Sequence, residues 1–362
     1  MKKWLIVWTS LAAPLRAATP SLDPMESAFV TLVPKDTPPS TCLRISRGPK
    51  SGFETTLPAV DALIKKIESA IQRENLTELQ ADFHPRLKTT FLQLSDAMVA
   101  IKRALGAPND VAVFRSWLLT SADGTPAELP CDEGEFVVTT HYGYSAQIGV
   151  WLQVMGKGEL GRIFVSIVPH GDRAYIGAWH LHQWTHLSMD SLAWQERALA
   201  FAKAEEKPSA YLLQDIAFKL LNQKKFVLPQ ALTPVKLKLD GLMTLDQWTA
   251  EVLRALNLSK NASDTAYSAP TIRTSLAQDG AGINLYLKTP KEIVPKQLRS
   301  DCRILAARIF TNAAFRGVDG IKCMFVMEGE AIYQEGRLGG QYYTRSEAVP
   351  PLGKEEAKSS TK

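Results

Sequence analysis

Apolar residues recur at helical spacing in Val60, Leu63, Ile64, Ile67 and Ile71, the i, i+3, i+4, i+7 signature of an amphipathic helix. Leu87, Phe91, Leu94, Met98, Ile101 and Leu105 predict a second helix, separated from the first at Pro85 and closed by Gly106. The period then changes. Val111 to Leu119, Glu135 to Tyr144, Gln147 to Met155, Arg162 to Val168 and Ala174 to Trp184 are β-rich runs parted by Gly, Asp, Asn and Pro clusters. Their short connections predict an antiparallel meander. Within it Ile148, Val150, Leu152 and Val154 share one face, and Trp151 and Gln153 the other.

Helical spacing returns after Ser188. Asp190 to Ala204 and Ser209 to Asn222 predict a helix pair, expected to pack on the first unit. A short helix around Leu245 to Leu256 follows. A last unit then reads β-α-β-β: one strand within Thr271 to Leu287, the helix Pro295 to Ala313, and strands at Ile321 to Met327 and Gln341 to Arg345. The expected fold class is α+β, a helix pair packed on a curved antiparallel sheet, followed by a helical hairpin and a smaller domain. The expected division is a signal peptide at 1–18, an extended lead-in at 19–57 with at most a strand around Ala28 to Val33, and a domain with its trailing helix pair at 58–227. A linker at 228–268, a small α/β domain at 269–347 and a disordered Pro/Lys/Glu/Ser tail at 348–362 complete it.

The element order of residues 58–188 resembles that of the nuclear-transport-factor-2-like (NTF2-like) superfamily: a helix pair, the turn Phe83-His84-Pro85, then a meander ending in a long strand. That resemblance implies a cone-shaped α+β fold with a pocket between the concave sheet face and the helices, used by some members for catalysis and by many for binding alone. No catalytic motif of the superfamily is matched, so no catalytic residue carries over, and fold alone does not define function.

Composition narrows the setting. Of 362 residues, 45% are hydrophobic and 22% charged, which excludes a wholly disordered or coiled-coil chain. The 42 basic against 37 acidic side chains leave a net charge of +5 with no dense Lys/Arg block, so no nucleic-acid partner is indicated. Lys2 and Lys3, the apolar run Trp4 to Leu15, and Ala17-Ala18 read as a secretory signal too short to span a bilayer. The expectation is a soluble protein, secreted or periplasmic in a bacterium, without a transmembrane segment. Four cysteines allow three pairings. Cys302 shares a helical stripe with Leu298, Leu305 and Ile309, and Cys323 shares a strand face with Ile321, Phe325 and Met327. Both therefore point toward one core, where they either pair in an oxidising compartment or pack as buried thiols.

Candidate chemistry centres on Trp179-His180-Leu181-His182-Gln183-Trp184-Thr185-His186, which holds three of the six histidines. On a strand His180, His182 and Trp184 share a face, a spacing that can present two imidazoles to zinc with His141 as a third. The same residues can instead line an organic-ligand pocket, aromatic faces stacking and imidazoles donating or accepting. The expected lining is His141, Trp151, Gln153, His180, His182 and Trp184, with Val150 and Leu152 in place of Trp151 and Gln153 if their strand faces the other way. No nucleotide-binding, hydrolase-elbow, zinc-protease or EF-hand motif occurs, and no cofactor is indicated. Three readings follow: a module binding a small molecule, an enzyme using the same cavity through His-dependent acid–base or zinc-assisted chemistry, and a structural component binding envelope proteins.

Overall fold

The computed structural model describes residues 24–45, 57–90, 93–140, 143–222, 227–258, 267–277, 279–289, 295–327 and 341–349. The expected signal segment and nearly all of the expected tail lie outside these residues. The first described element is α1 (Pro24–Thr31), where an extended lead-in with at most a strand was expected. Proline suits a first helical turn, and the helix buries Phe29 completely. A short strand β1 (Cys42–Arg44) precedes α2 (Pro58–Gln72), whose Val60, Leu63, Ile64, Ile67 and Ile71 are all buried, as their spacing predicts. The second predicted helix is divided: a 3₁₀ segment over Pro85–Thr90, then α3 (Gln93–Leu105).

The meander is β2 (Asp110–Thr120), a detached hairpin of β3 (Glu128–Cys131) and β4 (Phe136–Thr139), then β5 (Ala146–Gly156), β6 (Glu159–His170) and β7 (Arg173–Gln183). The main sheet has the order β1-β2-β5-β6-β7 and is antiparallel throughout. β4 was expected as a long strand of this sheet. Left-handed backbone at Asp132, Glu133 and Gly134 lifts the chain out of the main plane instead, and β4 joins a separate sheet β3-β4-β8, where β8 is Val227–Pro229. Helices α1, α2 and α3 cover one face of the main sheet over an aliphatic core, including Val150, Leu152, Val154, Ile163 and Val165. The small sheet covers part of the other face through Trp117, Trp151, Phe164, Phe136 and Val138.

At the end of β5, Gly156 lies against the last turn of α3. A β-carbon there would come within 2.6 Å of the Leu105 carbonyl oxygen and 2.9 Å of that of Ala107. Backbone yields less readily than a side chain, so Gly156→Ala is expected to cost about 2 kcal/mol. A urea midpoint equal to that of the wild type would refute this contact.

The helix pair is α4 (Ser191–Lys203) and α5 (Lys207–Leu221), followed in the expected linker by α6 (Leu232–Leu242) and α7 (Leu245–Leu256). Asp190 caps α4 by accepting from the Ala193 N–H at 3.0 Å, and Thr244 and Gln247 form a capping box on α7. The expected single strand is a hairpin, β9 (Ser268–Ala277) and β10 (Gly280–Thr289), turning at Asp279-Gly280. Then come α8 (Pro295–Thr311), β11 (Gly320–Met327) and β12 (Gln341–Thr344), in a sheet ordered β12-β11-β10-β9 with β10 and β11 parallel across the α8 crossover.

The helix pair does not pack mainly on the first unit. Leu212, Leu213, Ile216 and Leu220 of α5 share a core with Ile283 and Leu285 of β10 and with Leu305 and Ile309 of α8. α5 is apolar nearly all round, so one sheet face cannot bury it, and it becomes the centre of the second core. Two disulfides tie the chain. Cys302–Cys323 joins α8 to β11 with its Cα atoms 5.9 Å apart, and Cys42–Cys131 joins β1 to β3 at 5.2 Å. No helix among the described residues is long and apolar enough to cross a membrane.

Candidate functional site

Register aligns the predicted residues in two rows. Trp151 stands opposite Phe164 and Phe164 opposite His180, while Gln153, Arg162 and His182 form the next row. Cross-strand partners share a face, so this set points away from α2 and α3 toward the small sheet and α5. The sheet face against the helices is instead the aliphatic one with Val150 and Leu152, the alternative strand orientation. The helix faces in this core are predominantly Ile, Leu and Val, and an aliphatic partner surface matches them without stranding polar groups.

Trp151 is fully buried, ringed by Phe136 at 5.1 Å, Phe114 and Trp184 at 5.5 Å and Trp117 at 6.1 Å between centroids. Its ring is packed within the core formed with the small sheet. Phe114 reaches it because β2 slips register against β5 between Val113 and Arg115. A bulge of this kind re-aims a side chain, and the strand alternation does not announce it.

At the centre lies a residue the sequence reading did not single out. Arg162 is only 5% exposed, with its guanidinium carbon 3.5 Å from the Phe114 ring centre, 5.2 Å from that of Trp151 and 5.3 Å from that of Trp184. Its Nε and Nη1 have no hydrogen-bond acceptor among the described residues, nor does the buried Nε1 of Trp151. Burial, and secondly the neighbouring Arg115 charge, pull the Arg162 pKa down to about 10. Arg115 also lies over Phe114, at 4.4 Å, but has a carboxylate partner: its Nε is 3.2 Å from Asp132. Asp132 further accepts from Trp117 Nε1 at 3.1 Å and lies 4.0 Å from Arg44. Gln153, His180, His182 and Trp184 are half-buried around this floor. The legible signal was an arginine on the same strand parity as Phe164 and Ser166, within an otherwise apolar run.

The histidines divide. His182 Nε2 lies 2.6 Å from the Leu220 carbonyl at the end of α5. Burial pushes its pKa down to about 4, so the ring is neutral near pH 7 and Nε2–H is the donor. His186 is 7% exposed, with Nε2 3.0 Å from the Gly280 carbonyl, Nδ1 3.3 Å from Gln183 Nε2, and its ring stacked on Trp194. Both rings thus bind backbone or side-chain groups that fasten β7 and its following loop to the second core. His141 lies outside the described residues. Among those described, no group of three His, Cys, Asp or Glu side chains is arranged to hold a metal ion.

Two further places bring titratable groups together. His84, expected as a capping or surface residue, is 5% exposed and sits edge-on to His170, Tyr144 and Tyr175 at 4.9, 6.0 and 6.0 Å. Burial, then the His170 and Arg86 charges, hold its pKa below the ordinary histidine range. A groove of about 240 Å³ beside α2 carries Lys66, Asp82, Asp172 and Arg173, but Asp82 already pairs with Lys66 at 2.5 Å and Arg173 at 3.7 Å. The Arg162 floor combines a buried cation with unmet donors, and it is the arrangement most in need of a further partner. No family model, no curated protein and no solved structure matches the chain.

Proposed function

We propose that this chain is an exported binding protein, its first unit built on an NTF2-like plan, that takes a small molecule at the aromatic face around Arg162. The observation that carries the reading is Arg162, a cation buried among Phe114, Trp151 and Trp184 with donors that no described residue meets. Half-buried Gln153, His180, His182 and Trp184 supply a rim able to stack and to hydrogen-bond. The NTF2-like plan is supported by α2 and α3 covering one face of an antiparallel sheet, although the proposed site faces away from them. Two disulfides support export to an oxidising compartment.

Trp151 and Trp184 lie close enough to report occupancy. Titration of the mature chain with a panel of small aromatic and polar compounds is expected to give a saturable change in tryptophan emission, lost in Trp184→Leu. A panel without any saturable response, from a folded protein that co-purifies with another envelope protein, would replace this reading with a structural one.

A further inference from the structure

The charges on the aromatic face do not balance. Arg115 and Arg162 both lie against the Phe114 ring, and Asp132 serves Arg115 and Trp117. Glu159, three residues before Arg162 on β6, is engaged elsewhere: it accepts from the Thr185 hydroxyl at 2.8 Å and the Ser188 N–H at 3.0 Å. Arg44 reaches Asp132 from the solvent side, so among the buried charges of the described residues one positive charge is left over. Cation–π contact with surrounding rings is a modest stabilisation. A buried donor left without an acceptor costs at least as much as such a contact returns, and more when it is charged. Arg162 Nε and Nη1 and Trp151 Nε1 lie in this cage with no hydrogen-bond partner among the described residues; Arg115 Nε also lacks a hydrogen bond but keeps its ion pair with Asp132. The rings hold the guanidinium in place without satisfying it.

Resting on the binding reading above, we infer that the ligand is an organic monocarboxylate with a flat apolar body. Its carboxylate offers acceptors to the unmet donors and neutralises the single surplus charge, and its body lies along Phe114 and Trp184. A single excess cation matches a monoanion better than a phosphate dianion, whose second charge would need a further buried partner. The planar guanidinium suits a planar carboxylate, and the aromatic rim suits a ring or unsaturated chain more than a sugar. His182 and Gln153, flanking Arg162 in its own row, are placed to sense the ligand's edge.

The test uses the mature full-length chain in a chloride buffer free of carboxylates and phosphate. Benzoate, its neutral isostere benzamide, and inorganic phosphate are titrated separately, with tryptophan emission and calorimetry as readouts. Benzoate is expected to saturate, to bind about tenfold or more tightly than benzamide, and to weaken by a similar factor in Arg162→Gln, consistent with the strength of a charge-assisted pair. Near-UV circular dichroism checks that this variant is folded. If it is not, Phe114→Leu, which keeps the charge and removes the ring beneath it, is expected to lower benzoate affinity instead. Equal binding of benzamide and benzoate overturns the carboxylate inference and leaves the binding reading standing. Phosphate binding as tightly as benzoate overturns it too, since a simple anion hole would suffice. No saturable response to any of the three sinks the carboxylate, and failure of the wider panel as well sinks the binding reading with it.

Discussion

Replacing Cys42 and Cys131 together by alanine is expected to remove about 4 kcal/mol of stability, the larger of the two disulfide losses. The bond closes a loop of 89 residues, against 21 for Cys302–Cys323. In the chain-entropy account the constraint on the unfolded state grows with the logarithm of loop length, giving about 4–5 kcal/mol for the longer loop and about 3 for the shorter. Native packing reinforces the order. Cys131 is 1% exposed within the core that also holds Trp117, Trp151 and Phe136, and alanine there leaves a small void. Urea unfolding of the two double variants decides it. A smaller loss for Cys42/Cys131 than for Cys302/Cys323 would contradict loop closure as the dominant effect.

Acid is expected to weaken the folded chain through His182. Its folded pKa, about 4, lies below the ordinary histidine value of 6.5, because burial disfavours the imidazolium and the neighbouring His180 adds to this, against the Leu220 hydrogen bond. Between these two values the unfolded chain binds the proton and the folded chain does not. The contribution is therefore complete above about pH 6.5, falls as pH drops through that window, and is lost by about pH 4. Fully expressed, the difference is about 3 kcal/mol, an upper value because the ring is not wholly enclosed. His182→Gln keeps a donor for the Leu220 carbonyl but cannot titrate. The wild-type urea midpoint should fall further between pH 7 and pH 4 than that of the glutamine variant, and parallel pH profiles would exclude His182 as the source.

How much of this was legible differs by element. α2 shows itself through Val60 to Ile71 because one buried stripe on a surface helix leaves a 3.6-residue period. The alternation of Val150 and Leu152 against Trp151 and Gln153 marks two faces of β5 correctly, but alternation cannot say which face meets the helices. That choice depends on α2 and α3 being predominantly aliphatic on their inner sides. β4 left the main sheet through left-handed backbone at Asp132, Glu133 and Gly134; Asp and Gly signal a turn there but not which sheet the next strand joins, and its partner β8 is some 90 residues away. The partner of α5 was equally hidden, because a helix apolar around most of its circumference states that it is buried without stating by what. Arg162 was missed for the opposite reason. Alone in a strand an arginine reads as solvent-facing, and only the Phe114 bulge and the rings around it turn that position inward.

β1 is three residues long, pairs only with β2 through Cys42, Leu43 and Arg44, and is stitched to β3 at its first residue. It is the outermost strand of the main sheet, so it stands where the row of β2 amides and carbonyls would otherwise face the surroundings. A strand too short to template another chain, held by a covalent bond, makes a poor nucleus for intermolecular pairing. The bond between Cys42 and Cys131 thus guards solubility as well as shape. Before oxidation, or after reduction, β2 would present an open ladder to its neighbours, and self-association through that edge would be the hazard the newly made chain has to outrun.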